Sequence, residues 1–269
     1  MRRARAPLRA PVGFVATMGA LHAGHESLVA RARSECASVI VSVFVNPLQF
    51  GPDEDFDRYP RTPEADAARL RAAGTDVLFM PNRHEMYPDG AHVTVAPGPV
   101  ARYLEGERRP GFFNGVATVV LKLFNVIAPD LAYFGQKDAQ QLAVVSRMVE
   151  DLNLPLKVVG CPIVREADGL ALSSRNAYLD QSERSAAPQL YRALQLITQR
   201  LQAGERDIAV AVTQAEAELP PLKVDYLAVV EPRAFEPLAT APPQTRLLAV
   251  GAAYDGLTRL IDNIEVNTP

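Results

Sequence analysis

From Val12 to Val159, short apolar runs alternate with stretches of helical character. Residues 12–16 read as a buried strand, and residues 17–24 as a small, glycine-containing loop. Residues 25–36 follow as a helix with Leu28, Val29 and Ala32 on one side. Residues 38–45 are a β-branched strand stopped by Asn46 and Pro47. Residues 63–73 begin with proline and continue in good helix formers, and residues 76–80 are apolar again. Val116, Val119, Val120, Leu123 and Ile127 recur at helical spacing until Pro129 ends the helix. A strand at 131–134, a helix face of Leu142, Val145, Val149 and Leu152, and a strand at 156–159 complete the series. Such alternation predicts an α/β fold, a parallel sheet covered by helices on both faces.

Beyond about residue 164 helices and strands are grouped instead. Residues 181–202 read as one helix with Leu190, Leu194, Ile197 and Leu201 inward, and 207–219 as a second. Strands are expected at 224–230, 246–250 and 262–266, with a Pro/Ala-rich loop at 237–243. This predicts two domains, residues 1–163 and a smaller α+β domain at 164–269, which a length of 269 residues accommodates.

The charge balance, 28 basic against 31 acidic residues, provides no broad basic field for a nucleic acid, although a small phosphate pocket remains compatible with it. Cys36 and Cys161 are isolated, which suits a reducing compartment better than a disulfide scaffold. The basic residues 1–11 lack the apolar stretch of a signal peptide. The apolar run 37–45 is too short to span a bilayer, and the run 115–128 carries Lys122 and Asn125. A cytoplasmic protein without membrane contact is expected.

Four segments at strand ends carry polar chemistry. In Thr17-Met18-Gly19-Ala20-Leu21-His22-Ala23-Gly24-His25, the two glycines let backbone approach a ligand. The following helix N-terminus offers N–H groups to an anion. His22 and His25, two of only four histidines, are spaced to reach one phosphate. A glycine turn with two surface histidines, or less readily a zinc site, is the alternative. In Phe134-Gly135-Gln136-Lys137-Asp138, Lys137 suits a phosphate contact, while Asp138 can accept ribose hydroxyls or simply cap the next helix. Gln141 lies three residues on. Ser173-Ser174-Arg175-Asn176 can clamp phosphate oxygens or form a polar turn. Asn46 and Gln49, neutral groups amid Phe44, Leu48 and Phe50, suit a small ligand with hydroxyl and carboxylate groups, or a hairpin-like loop.

Together with Tyr59-Pro60-Arg61-Thr62 and Val164-Arg165-Glu166-Ala167-Asp168-Gly169, these segments resemble the pantoate–β-alanine ligase family, from about Val12 to Val266. The resemblance implies a Rossmann-like nucleotidyltransferase domain and a smaller C-terminal lid domain that closes over ATP. It implies a homodimer that joins pantoate to β-alanine, releasing pyrophosphate and AMP through a pantoyl adenylate, with Mg²⁺ accompanying ATP. Carried over by position, Met18, Gly19, Ala20, Leu21, His22, Ala23, Gly24 and His25 form an ATP loop. His22, His25 and Lys137 stabilise the leaving pyrophosphate. Gly135, Gln136, Lys137 and Asp138 hold the nucleotide, joined by Val164, Leu172, Ser173, Ser174 and Arg175. Gln49 and Gln141 grip pantoate, and Gln49 also lines the β-alanine site. Three positions differ from the family's habit. Ala16 replaces a proline, Phe112 a histidine, and Ala65-Asp66 a pair of adjacent acids, which leaves the metal ligands unassigned. A nucleotidylyltransferase that releases its adenylate, and a nucleotide-binding module without activity, are the rival readings.

Overall fold

The computed structural model describes residues 1–52, 54–90, 92–256 and 258–269, which divide into two compact units. One comprises Met1–Gln136 and Gln140–Pro162; the other comprises Lys137–Ala139 and Ile163–Pro269.

The first unit is built on five parallel strands, β1 (Val12–Thr17), β2 (Ser38–Val43), β3 (Val77–Phe79), β4 (Leu131–Gly135) and β5 (Lys157–Cys161). Their order is β3-β2-β1-β4-β5. Central β1 has helices over both faces, so it reads as a continuous apolar run with Val12, Phe14 and Val15 fully buried. The chain runs outward from β1 to β3 and returns to the other flank of β1 for β4. This reversal places a topological switch point between the carboxyl ends of β1 and β4, where open α/β sheets bind ligands.

The helix Ala23–Glu35 closes tightly on β1 because Gly13 has no side chain. A Cβ there would lie 3.0 Å from Cys36 Sγ and 3.2 Å from both Ala32 Cβ and the Tyr133 ring. The helix Phe112–Ile127 buries most of its length, and Phe124 meets Phe14 and Phe134 edge-on.

The second unit carries an antiparallel sheet of β6 (Lys223–Val230), β7 (Arg246–Asp255) and β8 (Thr258–Asn267), in that order. The helix Gln189–Gln202 packs on it through Leu190, Leu194, Ile197 and Leu201, with the helix Ile208–Glu216 beside it. Gly251 of β7 makes room for Leu227, Leu190 and Leu194, whose methyl groups a Cβ would approach to 2.7, 2.9 and 3.4 Å.

Two elements differ from their sequence expectations. The helix expected over 181–202 is two helices, Gln181–Ala186 and Gln189–Gln202, with Pro188 as N-cap of the second. Proline lacks the N–H that would continue the first. β7 and β8 form a ten-residue ladder, longer than the expected 246–250 and 262–266. Gly251 and Ala253 carry little β-propensity but fit under the helix.

Candidate active site

The loop after β1 takes its shape from its own hydrogen bonds. Gly19 and Ala20 both adopt positive φ, +87° and +50°. The Gly19 amide donates to Thr17 Oγ1 at 3.3 Å. The Ala20 and Leu21 amides donate to Asp66 Oδ2 and Oδ1 at 3.0 and 2.8 Å. His22 is the N-cap of the helix Ala23–Glu35, and its Nδ1 accepts from Gly24 N at 3.1 Å. In return His25 Nδ1 accepts from His22 N at 3.3 Å, a capping box made by two imidazoles. The rings lie 4.1 Å apart, centre to centre.

This arrangement changes the picture read from sequence. The amides of Gly19, Ala20, Leu21, His22 and Gly24 already donate within the protein, and His25 N donates to His22 O at 2.8 Å. The loop amides are therefore largely engaged within the protein. Because both Nδ1 atoms accept, each ring carries a proton on Nε2.

The segment after β2 is a buried polar cradle. Asn46 and Gln49 are almost fully buried. Asn46 Oδ1 accepts from Tyr87 Oη at 2.9 Å and from Leu48 N at 3.3 Å. Asn46 Nδ2 donates to Gly115 O at 3.2 Å and to Gln49 Oε1 at 2.9 Å. Burial pushes the Tyr87 phenol up to about 12, so at neutral pH it is a hydroxyl donor. Gly115 is required here, because a Cβ would sit 1.9 Å from Leu48 O. Arg109 secures the cradle from outside. Its Nη2 donates to Gln49 O at 3.1 Å, and its Nε and Nη2 grip the Glu54 carboxylate at 2.7 and 2.6 Å. The guanidinium stacks on Phe112, 3.6 Å from the ring centre. The phenylalanine that stands in place of a histidine thus supports Arg109 through cation–π contact.

After β4, Gly135 ends the strand and Gln136, Lys137 and Asp138 form one tight turn before the helix Ala139–Asp151. Two neighbouring glutamines then diverge. Gln140 is buried and clamps the chain, donating to Val100 O and Tyr103 O and accepting from Glu105 N. Gln141 is half-buried.

In the second unit, Val164 and Leu172 are joined by a bond from Leu172 N to Val164 O at 3.0 Å, across a hairpin turned by Gly169. Ser173 caps the short turn Ser174–Tyr178, its Oγ accepting from Arg175 N at 3.3 Å. Lys137 and Ser173 line one pocket with Asn176, Tyr191, Arg259 and Asp262. Asn263 Nδ2 donates to Lys137 O at 3.0 Å and fixes the backbone of that lysine. Arg165 makes a two-pronged ion pair with Asp262, 2.6 and 2.9 Å, and stacks on Tyr191 at 3.9 Å. Asp138 is exposed.

Asp66, Tyr87, Arg109 and Asn263 are the contributors that sequence reasoning did not place. Each acts on a residue 41 to 126 positions away, so local spacing carries no signal of it. Asp66 carries a sequence signal, since it stands where the family places a pair of adjacent acids.

The model of the family described as pantoate-beta-alanine ligase matches residues 1–265. The chain belongs to the pantoate–β-alanine ligase family. A pantothenate synthetase of Acidobacterium capsulatum is 54% identical over 257 residues, covering 94% of this chain and 85% of the relative. One from Pseudomonas aeruginosa is 52% identical over 264 residues, covering 95% and 91%. Among solved structures, pantothenate synthetase from Thermus thermophilus superposes with a TM-score of 0.93 at 51% identity, covering 98% of this chain and 97% of that one. The pantoate–β-alanine ligase of Francisella tularensis, solved in complex with β-γ ATP and β-alanine, gives a TM-score of 0.80 at 35% identity, covering 98% and 93%. Among the described residues, no helix is long and apolar enough to cross a membrane. None of them form a group of three or more His, Cys, Asp or Glu side chains able to hold a metal ion.

Proposed function

We propose that this ligase-family chain joins pantoate to β-alanine at the expense of ATP, giving pantothenate, AMP and pyrophosphate through a pantoyl adenylate. The observation that carries this reading is the two-imidazole capping box at the switch point of a chain whose residues 1–265 match the family.

In the first step a pantoate carboxylate oxygen attacks the α-phosphorus, a P–O bond forms, and the bond to the β-phosphate breaks. The nucleophile is ionised at neutral pH, so no strong base is needed. The barrier lies in charge gathered on the phosphates, which fixed donors and cations lower. His22 and His25 supply donors through Nε2, and Lys137 supplies a point charge. Met18 to His25 and Gly135 to Asp138 hold the nucleotide, as do Val164, Leu172, Ser173, Ser174 and Arg175. In the second step the neutral amine of β-alanine attacks the acyl carbon, the C–O bond to AMP breaks, and the amine loses a proton. Gln49 and Gln141 orient pantoate, and Gln49 borders β-alanine. Burial of the Asn46–Gln49 cradle keeps water from the adenylate.

Magnesium enters as part of the ATP substrate. The described residues do not fit a resident site for it, since Asp66 accepts three hydrogen bonds from the protein itself. The family resemblance also supports a cytoplasmic homodimer. The test is product stoichiometry. ATP and pantoate alone should yield pyrophosphate only up to the enzyme concentration, and adding β-alanine should yield AMP and pantothenate in equal amounts. A freely released adenylate, in molar excess over enzyme and without β-alanine, would favour a nucleotidylyltransferase instead.

A further inference from the structure

We infer that Asp66 is a positioning residue that holds the ATP loop in its binding shape, and that it is not a magnesium ligand. The inference rests on the reading of residues 18–25 as the ATP loop.

Asp66 lies in the first turn of the helix Pro63–Ala72 and is 1% exposed. A carboxylate so deeply buried must have its charge met by donors. Three are present. Ala20 N reaches Oδ2 at 3.0 Å, Leu21 N reaches Oδ1 at 2.8 Å, and Thr62 Oγ1 donates to Oδ1 at 3.2 Å. Thr62 occupies the N-cap position of that helix, yet its hydroxyl makes no cap bond and turns to the carboxylate instead. Two consecutive loop amides therefore converge on one anion contributed by another element.

The place where they converge is the part of the loop that cannot hold itself. Ala20 has φ +50°, a conformation that a residue with a Cβ rarely adopts unaided. Its neighbour Gly19 lies so close that a Cβ would come within 3.0 Å of Asp66 Oδ2 and 3.1 Å of Val43 Cγ1. His22 follows directly, so the anchor sets where the two-histidine capping box begins. An ATP loop kept in one strained shape before substrate arrives loses less ordering entropy on binding and places its donors for the transition state.

The same three bonds speak against a metal role. They fill three of the roughly four acceptor positions of a carboxylate, both on Oδ1 and one on Oδ2. A metal there would have to displace the loop from its anchor.

The test compares Asp66→Asn with His25→Ala and the unaltered enzyme. The amide keeps the shape of the carboxylate but turns one acceptor into a donor facing a loop N–H. Folding is checked by circular dichroism and thermal melting. Thr62→Val, which removes only the hydroxyl that orients the carboxylate, serves if Asp66→Asn does not fold. Asp66→Asn should speed hydrogen exchange at Ala20 and Leu21 at least tenfold. It should raise KM for ATP about 10- to 100-fold while KM for pantoate stays within about twofold, and Thr62→Val should act in the same direction with smaller size. The magnesium concentration for half-activation at fixed MgATP should not move. Unchanged exchange, or unchanged ATP kinetics in a folded Asp66→Asn enzyme beside a crippled His25→Ala, overturns the inference while leaving the ATP loop in place. Unchanged kinetics in both variants overturns the loop reading itself. A tenfold rise in the magnesium requirement without a change in loop exchange makes Asp66 a metal ligand and also overturns the inference.

Discussion

Asn46 Nδ2 donates to Gln49 Oε1 across 2.9 Å, and two main-chain groups decide the direction of that bond. Leu48 N–H can only donate and Gly115 C=O can only accept, so Asn46 must turn Oδ1 to the first and Nδ2 to the second. The second Nδ2 proton then meets Gln49, whose carbonyl has to face it. Gln49 keeps its NH₂ group as a donor, and under the pantoate role proposed for it that group matches the carboxylate or a hydroxyl oxygen of pantoate.

Gln49→Glu should therefore harm pantoate binding more than its similar shape suggests. One carboxylate oxygen would keep the bond from Asn46, and the other would face the substrate carboxylate without a proton. KM for pantoate is expected to rise about 10- to 100-fold, the effect of losing a hydrogen bond to a charged group. KM for ATP should stay within about twofold. Equal losses for both substrates in steady-state kinetics would mean that the loop had collapsed.

Tyr87 gives this cradle a signature in alkali. Burial raises its phenol from 10.0 to about 12, which favours the protonated form in the folded chain. The unfolded chain ionises first, so this contribution is whole below about pH 10 and disappears as pH rises through about 12. Two pH units correspond to no more than about 3 kcal/mol. Tyr87→Phe should cost about 1 kcal/mol near neutral pH through the lost bond to Asn46. It should then escape this share of the alkaline loss, so the stability gap to the unaltered enzyme narrows or reverses toward pH 12. Urea midpoints measured at about pH 8 and about pH 11.5 would show it, and a constant gap would place Tyr87 outside the buried cradle.

His25→Ala and Lys137→Ala should each slow adenylate formation by about 10²–10³, or roughly 3–4 kcal/mol, if both meet charge that grows in the transition state. Single-turnover pyrophosphate release reads this step directly. A variant that keeps the full rate loses its assigned part in the chemistry.

The strands of the parallel sheet were readable because each is a short apolar run buried on two faces, as Val12, Phe14 and Val15 show. The second half of β7 is not legible because Gly251 and Ala253 answer a packing requirement and carry little strand propensity. His22, His25 and Gln49 stood out as rare polar residues at strand ends. Asp66, Tyr87 and Arg109 did not, since a first-turn aspartate, a loop tyrosine and an exposed-looking arginine have ordinary local explanations. Only the fold brings Asp66 to Ala20 and Arg109 to Gln49. Phe112 shows the same limit from the other side. Read as a departure from a family habit, it proves to be the platform under Arg109.

The central claim is that pantoate is activated by bonding its own carboxylate oxygen to the α-phosphorus of ATP. Pantoate labelled with ¹⁸O in both carboxylate oxygens tests this most directly, with the AMP and pantothenate products weighed by mass spectrometry. The account predicts one labelled oxygen in each AMP and one left in each pantothenate, since the acyl C–O bond breaks in the second step. Unlabelled AMP, or release of ADP and phosphate in its place, would contradict it.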